Sequence, residues 1–469
     1  MKKILLGLVA VIVLLIVGAL LYGAHLVRKL NSPEFKEQVR AEVSRKLGAE
    51  VRVEEMDISL LSGVTLRGVA VANPTPFKGD LFSARSFELR YKLRPLLSGR
   101  VEVERMNLNT PVLGLVVDED GLYNYEALGR PEGSAPPEPA APPAADRTDS
   151  PTESPAVAPE TGEAASGTAL EIVLSEVSVD DAVVTMFDDE GTNLMTVEDA
   201  DFTSAIRVAG GVTEGRAKAT VATISLADMF FVRDISAPLE MSTETVKLEP
   251  VEGKMAGGTA AGGVTVYLKD GFRYAAHLDV EGVDLKALLQ EAQAGAMMTG
   301  RLKAQTRLEG TGPLPALQAR GSVEVVDCQV ENSRMLATVS TLLKVPELAT
   351  PKFEECLVEY TLEGYRLRTP KVSLKSRPMQ VSARGTVNLA SSAIDYDVNL
   401  ALAETLLAKI PLRELRAAFK ERGDGLSAMD FRVYGTTEDP QTDMLARVGQ
   451  AAATEVIKDQ ANKLLKKIF

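Results

Sequence analysis

The chain has 469 residues, enough for two or three ordinary domains, and its 52 Lys+Arg against 65 Asp+Glu give a formal net charge of −13. With a pI near 5.0 it has no broad basic face for neutralising phosphates, which argues against a nucleic-acid partner and against electrostatic attachment to anionic lipid. Trp is absent and aromatic residues are 5% of the whole, poor material for a sugar-stacking or base-stacking cleft.

The first element is an uncharged apolar run from Ile4 to Leu21. A helix spans the hydrocarbon core with ~20 mostly apolar residues, so a retained transmembrane anchor is expected over residues 1–28. The alternative is a cleaved signal peptide, whose apolar core is shorter, ~7–15 residues, and ends in small residues. Here Leu21 and Tyr22 crowd the one plausible cleavage point, after Ala24. Lys2 and Lys3 face Arg28 and Lys29 across the run, so the positive-inside rule is nearly balanced. A short amino terminus ahead of a large body favours export of everything after residue 28.

Ser32-Pro33 is a helix start, with Ser as N-cap and Pro at the first helical position. Phe35, Val39, Val43 and Leu47 then recur every four residues, and Gly48 ends the helix. From Val51 the apolar period falls to two. Phe87, Leu89, Tyr91 and Leu93 alternate with Glu88, Arg90, Lys92 and Arg94, which predicts a strand with one dry and one wet face. Val64 and Leu66 give way to Val69 and Val71, and Val101 and Val103 to Met106 and Leu108. A one-residue slip of this kind predicts a β-bulge or a twist. Asp120-Gly121, Glu190-Gly191 and Asp270-Gly271 are turn signals.

Residues 131–168 hold nine Pro and a single large aliphatic residue, Val157, so they are expected to form a disordered, partly polyproline linker. Strands resume from Ala169, and Ile394, Tyr396, Val398 and Leu400 alternate with Asp395, Asp397 and Asn399 in the cleanest strand of the chain. No fixed-period repeat is evident. A final helix is expected from about Thr442 to Phe469, with Met444, Val448, Ala452 and Val456 in one row. It would serve as a cap on the β-structure or, through its basic tip, as a membrane-surface helix.

Chemistry-bearing residues are sparse. The histidines are His25, at the membrane edge, and His277, on the polar face of a predicted strand. Asp118-Glu-Asp120-Gly121 lacks the sixth-position Gly and twelfth-position Glu of a calcium loop. Gly257-Gly258 and Gly262-Gly263 lack the context of a phosphate loop. The expectation is no catalytic residue, no metal site, no cofactor, and no enzyme. Cys328 and Cys356 fall on apolar strand faces; they are either two buried thiols or a disulfide, which needs Cα atoms within ~7 Å.

Several phrases share a source. Val53-Glu-Glu-Met-Asp-Ile-Ser-Leu-Leu-Ser-Gly63, Leu66-Arg-Gly-Val-Ala-Val-Ala-Asn-Pro74, Pro76-Phe77 and Pro95-Leu-Leu-Ser-Gly-Arg-Val-Glu-Val-Glu104 stand in the first block. Val280-Glu-Gly-Val-Asp-Leu-Lys-Ala-Leu-Leu289, Ala319-Arg-Gly-Ser-Val-Glu-Val-Val-Asp327 and Phe431-Arg-Val-Tyr-Gly-Thr-Thr-Glu-Asp-Pro440 stand in a second. Together they resemble the AsmA family, membrane-anchored periplasmic β-proteins of double-membraned bacteria, over roughly residues 1–130 and 280–440.

The resemblance implies a mainly β protein: one amino-terminal transmembrane helix, then an elongated twisted antiparallel β-sheet trough with short flanking helices and a carboxy-terminal amphipathic helix. It divides the chain into an anchor (1–28), a helix plus β domain (29–130), the linker (131–168), a middle β region (169–280), a second β domain (281–440) and the last helix (441–469). It implies attachment to the inner membrane through Ile4–Leu21, a periplasmic body, and phospholipid, with other envelope proteins, as partners. The expected role is in outer-membrane biogenesis, by holding or passing phospholipid along an apolar groove; a scaffold that influences outer-membrane protein targeting is the alternative. Phe87, Leu89, Tyr91, Leu93, Ile394, Tyr396, Val398 and Leu400 are the groove candidates. At ~4.8 Å per strand, about 20 strands give a rod of only about 100 Å, short for a bridge between membranes.

Overall fold

The computed structural model describes residues 32–59, 63–92, 95, 101–118, 122–129, 172–209, 212–269, 273–294, 298–311, 316–331, 334–411, 413–444 and 446–447. The Ile4–Leu21 run, Leu93, the 131–168 segment, the Asp120-Gly121 and Asp270-Gly271 turns and everything after Arg447 lie outside these residues. Among the described residues no helix is long and apolar enough to cross a membrane.

The first helix, α1 (Pro33–Leu47), starts where Ser32 Oγ accepts from the Phe35 amide at 3.3 Å and stops at Gly48, whose φ of 63° suits a residue without Cβ. Its apolar stripe is half-buried, with Phe35 resting on Ile58 and Val64. Among the described residues twenty strands then form one sheet. β1 (Val51–Ser59), β2 (Gly63–Ala72), β3 (Asp80–Tyr91) and β4 (Val101–Val116) pair in succession as antiparallel neighbours.

β5 (Ile172–Phe187) lies beside β4 but parallel to it, from Val101↔Ile172 to Val116↔Phe187. It is the one parallel pair among the described strands, where only antiparallel neighbours were expected. A parallel return has to carry the chain back along the strand, which takes a dozen or more residues; residues 117–171 supply them. The 131–168 segment therefore connects two neighbouring strands of a single sheet.

Antiparallel order resumes through β6 (Asn193–Ala209), β7 (Val212–Leu226), β8 (Phe230–Ser242), β9 (Thr245–Met255), β10 (Gly258–Tyr267) and β11 (Arg273–Asp284). Asp284 accepts from the amides of Lys286 and Ala287 and so caps α2 (Leu285–Glu291). β12 (Met298–Thr311) and β13 (Gln318–Val330) follow, then α3 (Arg334–Leu343) and a 3₁₀ turn at Pro346–Leu348. β14 (Lys352–Glu363), β15 (Arg366–Lys375), β16 (Met379–Asn388) and β17 (Ala393–Ala403) continue the ladder. After α4 (Glu404–Leu407) and α5 (Arg413–Ala417), β19 (Leu426–Thr436) pairs with β17. β18 (Lys420–Glu421) and β20 (Pro440–Thr442) share the outer edge of β19. Gln441 and Thr442 thus belong to an edge strand, not to the predicted last helix, because their ladder bonds to Val433 and Tyr434 are available at that edge.

With β1 at one edge and β18 and β20 at the other, the sheet is open. At ~4.8 Å per strand its contour is roughly 90 Å. The predicted face slips are real. At the Leu66-to-Val69 reversal Gly68, with φ 59°, twists the strand while its register holds, and at the second slip Glu104 is an extra residue, a bulge, between Arg90↔Arg105 and Tyr91↔Val103. Further along, Asp181, Asp199, Asp234 and Asp327 take left-handed φ of 49–55° beside register shifts. Short polar side chains tolerate that conformation best after Gly, and each extra residue sharpens the twist.

A candidate lipid groove on the apolar face

Direct cross-strand partners point to the same side of a sheet, so the register lets each face be followed from edge to edge. Starting at Leu89, one row runs through Val64 to Ile58 on one side and through Met106, Val177, Ser204, Ala217 and Leu239 on the other. It continues through Leu248, Val264, Ala276, Leu308 and Ala319, then Leu362, Leu367, Val387 and Ile394, to Gly435. The row crosses the sheet without a charged residue. Its one hydroxyl, Ser204, is spent on the Arg216 carbonyl at 3.0 Å. Leu89 and Ile394, about 300 positions apart in the sequence, therefore lie on one continuous apolar track.

From β9 onward parallel rows widen the track. One is Gly253–Ala260–Val280–Ala304–Val323–Val358–Val372–Ala383–Val398–Phe431, and another is Val283–Leu302–Val325–Cys356–Leu374–Val381–Leu400–Met429. The second is covered. α2, α3, the 3₁₀ turn and α4 fold along that rim, and Leu343, Val345, Leu348 and Ile410 are sealed beneath them with Val283, Val325 and Leu400. Arg233 holds Glu291 of α2 at 3.1 Å, tying this rim back to β8. Toward the hairpin rim the cover ends: Ala276, Leu308, Ala319, Leu362, Leu367, Val387 and Ile394 are half-buried and Val264 is 36% exposed. The apolar face thus grades from a closed core to an open surface.

The opposite face is wet. On β12 Arg301, Lys303, Gln305, Arg307 and Glu309 are all exposed between half-buried Leu302, Ala304, Thr306 and Leu308. Cross-strand ion pairs run over this face, among them Lys303–Glu281 at 2.8 Å, Lys371–Glu359 at 2.9 Å and Arg432 against both oxygens of Asp395. Exposed pairs contribute little stability; they keep the face hydrated and its strands in register. The Arg432 hydrogen bond lowers the Asp395 carboxyl below its usual range. His277 lies half-buried on this side, opposite Gly263 and Arg307.

Curvature follows from the segment after β4. Asn124, fully buried, donates to Asn73 Oδ1 and the Gly114 carbonyl, both at 2.7 Å, and so pins the turn that carries Tyr123 and Tyr125. Their rings stack at 5.2 Å. Burial pushes the Tyr123 phenol up to about 12, helped by Tyr274 and Glu126. Tyr274 is on β11, seven strand spacings from β4 and thus ~34 Å away on a flat sheet. A flat sheet would hold Tyr274 too far away to influence Tyr123, so the sheet curves between β4 and β11.

The structure gathers most of the sequence-predicted residues. Phe87, Leu89 and Tyr91 are buried in a cluster with Val103, against which Leu66, Met106, Leu108 and Leu174 pack. Ile394, Tyr396 and Val398 are half-buried on the open face, while Leu400 is buried under the rim. Cys328 and Cys356 are buried free thiols. Hydrogen bonding with Cys328, then burial, raises the Cys356 thiol far above its ordinary value. Among the described residues no three His, Cys, Asp or Glu side chains are placed to hold a metal ion. Sequence reasoning missed Leu308, Ala319, Leu362 and Leu367, although each stands at an alternating apolar position.

An open sheet, curled, with one dry face and one wet face, defines a β-groove protein. Residues 1–231 match the model of the AsmA family. The match covers the first block of shared phrases and extends across the 131–168 segment into β8; the phrases between 280 and 440 lie beyond it. No curated protein matches the chain, and no solved structure does.

Proposed function

We propose that this protein contributes to outer-membrane biogenesis by holding or passing phospholipid along its apolar groove. On this reading Ile4–Leu21 anchors it in the inner membrane, the body lies in the periplasm, and it performs no catalysis. The observation that carries the reading is the row from Leu248 to Ile394, apolar at every position yet left half-exposed. Apolar surface of this extent on a soluble body calls for an occupant. Acyl chains suit it because they demand no hydrogen bonds, while headgroups can remain in water at the hairpin rim. The match of residues 1–231 to the AsmA family supports the same reading.

The test is lipid extraction and mass spectrometry on the purified full chain, compared with Leu362→Glu. Phospholipid on the wild type, lost from a folded variant, supports carriage. A wild type that carries none would leave the scaffold function instead.

A further inference from the structure

Between the hairpin-side row and the next lies a midline row of different chemistry. Thr306, Gly321 and Tyr360 are direct partners on β12, β13 and β14; Thr369, Gly385 and Tyr396 are direct partners on β15, β16 and β17. The same Thr–Gly–Tyr triad thus occurs twice, three strands apart. In each, the tyrosine reaches across the glycine to the threonine two strands away. Tyr360 and Thr306 hydroxyls are 2.7 Å apart, and the Thr369 hydroxyl donates to Tyr396 at 3.0 Å. A Cβ on Gly321 would come within 2.9 Å of Tyr360 Oη and Cζ, and one on Gly385 within 2.6 Å of the Tyr396 ring. A side chain that spans two strand intervals and sits directly above a glycine must lie flat on the sheet.

Resting on the groove reading above, we propose that Tyr360 and Tyr396 form the bed on which acyl chains lie along the midline. Laid flat, the rings keep the middle of the groove shallow, where upright aromatics would block it. Each hydroxyl is spent on a threonine, so the ring offers an apolar surface and no unsatisfied polar group. Both tyrosines are half-buried, with aliphatic rows on either side. The two stand roughly 14 Å apart along the groove, so one extended chain lying lengthwise covers both. A peptide would find no free hydroxyl on this floor, because those of both triads are engaged with each other. An acyl chain needs none.

The experiment places p-azidophenylalanine at 360 or 396 in the full chain, which exchanges the hydroxyl for a slim photoreactive group. The same residue is placed at Leu362 on the hairpin-side row and at Arg307 on the wet face. Each protein is incubated with vesicles of phosphatidylethanolamine and phosphatidylglycerol, irradiated and weighed by mass spectrometry. Lipid adducts at 360 and 396 at least as abundant as at 362, and at background at 307, are expected. Adducts at 362 with none at 360 and 396 overturn the midline bed while leaving the groove in place; no adduct at any position removes the groove reading itself. The pair Thr306→Val and Thr369→Val, nearly equal in volume to the native residues, releases both rings and should reduce the lipid retained severalfold. Unchanged retention in that folded variant also overturns the bed.

Discussion

An acidic side chain placed at two depths of the apolar face distinguishes a groove from a closed core. Leu402 is fully buried under the helical rim, whereas Leu362 is half-exposed toward the hairpin rim. At Leu402, Leu→Glu removes about 2–3 kcal/mol of apolar transfer. The new carboxyl, with no partner, avoids ionising: raising its pKa by about three units costs ~4 kcal/mol at neutral pH. The sum of about 6 kcal/mol is comparable with the whole stability of an ordinary domain, so Leu402→Glu should fail to accumulate or unfold at very low urea. At Leu362 water reaches the carboxylate, and the loss should stay near 1 kcal/mol. Urea denaturation followed by far-ultraviolet circular dichroism measures the gap, and lipid content is measured on the same samples. Equal, large destabilisation at both sites would mean that the face is packed shut. A stable Leu362→Glu that still retains its lipid would mean that the ligand lies elsewhere.

Other expectations concern titration and reactivity. With its phenol raised by burial, Tyr123 gives stability that is fully present below pH ~10, where the unfolded phenol titrates, and is lost as pH rises through its folded value of about 12. The 295 nm difference between wild type and Tyr123→Phe should therefore appear near pH 12; a difference centred on 10 in folded protein would contradict the burial. Asp395, lowered by Arg432, favours the fold above the ordinary carboxylate range and loses that contribution as pH falls through its folded value. Arg432→Gln should move the Asp395 NMR titration upward, and an unmoved curve would remove the ion pair from the account. Cys328 and Cys356 should resist alkylation in the folded chain and react once urea unfolds it, since both are buried and only a thiolate reacts readily; rapid native labelling would contradict the closed rim.

Much of the fold was legible in local pattern, and its limits follow from what a local pattern encodes. Alternation at Phe87–Tyr91 and Ile394–Leu400 marks strands with one dry face, because side chains leave a strand on opposite sides in turn. The slip at Val103–Met106 marked a bulge for the same reason, that at Leu66–Val69 a twist at Gly68 where the register holds, and Ser32, Pro33 and Gly48 marked the ends of α1 through capping chemistry within a few residues. None of this states which strands are neighbours or at what offset. That β5 returns parallel beside β4 depended on where residues 117–171 deliver the chain. The triads of Thr306, Gly321 and Tyr360 and of Thr369, Gly385 and Tyr396 exist only in the register, as does the row joining Leu89 to Ile394. Likewise Leu400 and Leu308 look alike in sequence, yet a rim of short helices buries the first and leaves the second open. Periodicity sets which way a side chain points; pairing over long sequence separations sets what it meets, and only the assembled sheet decides that.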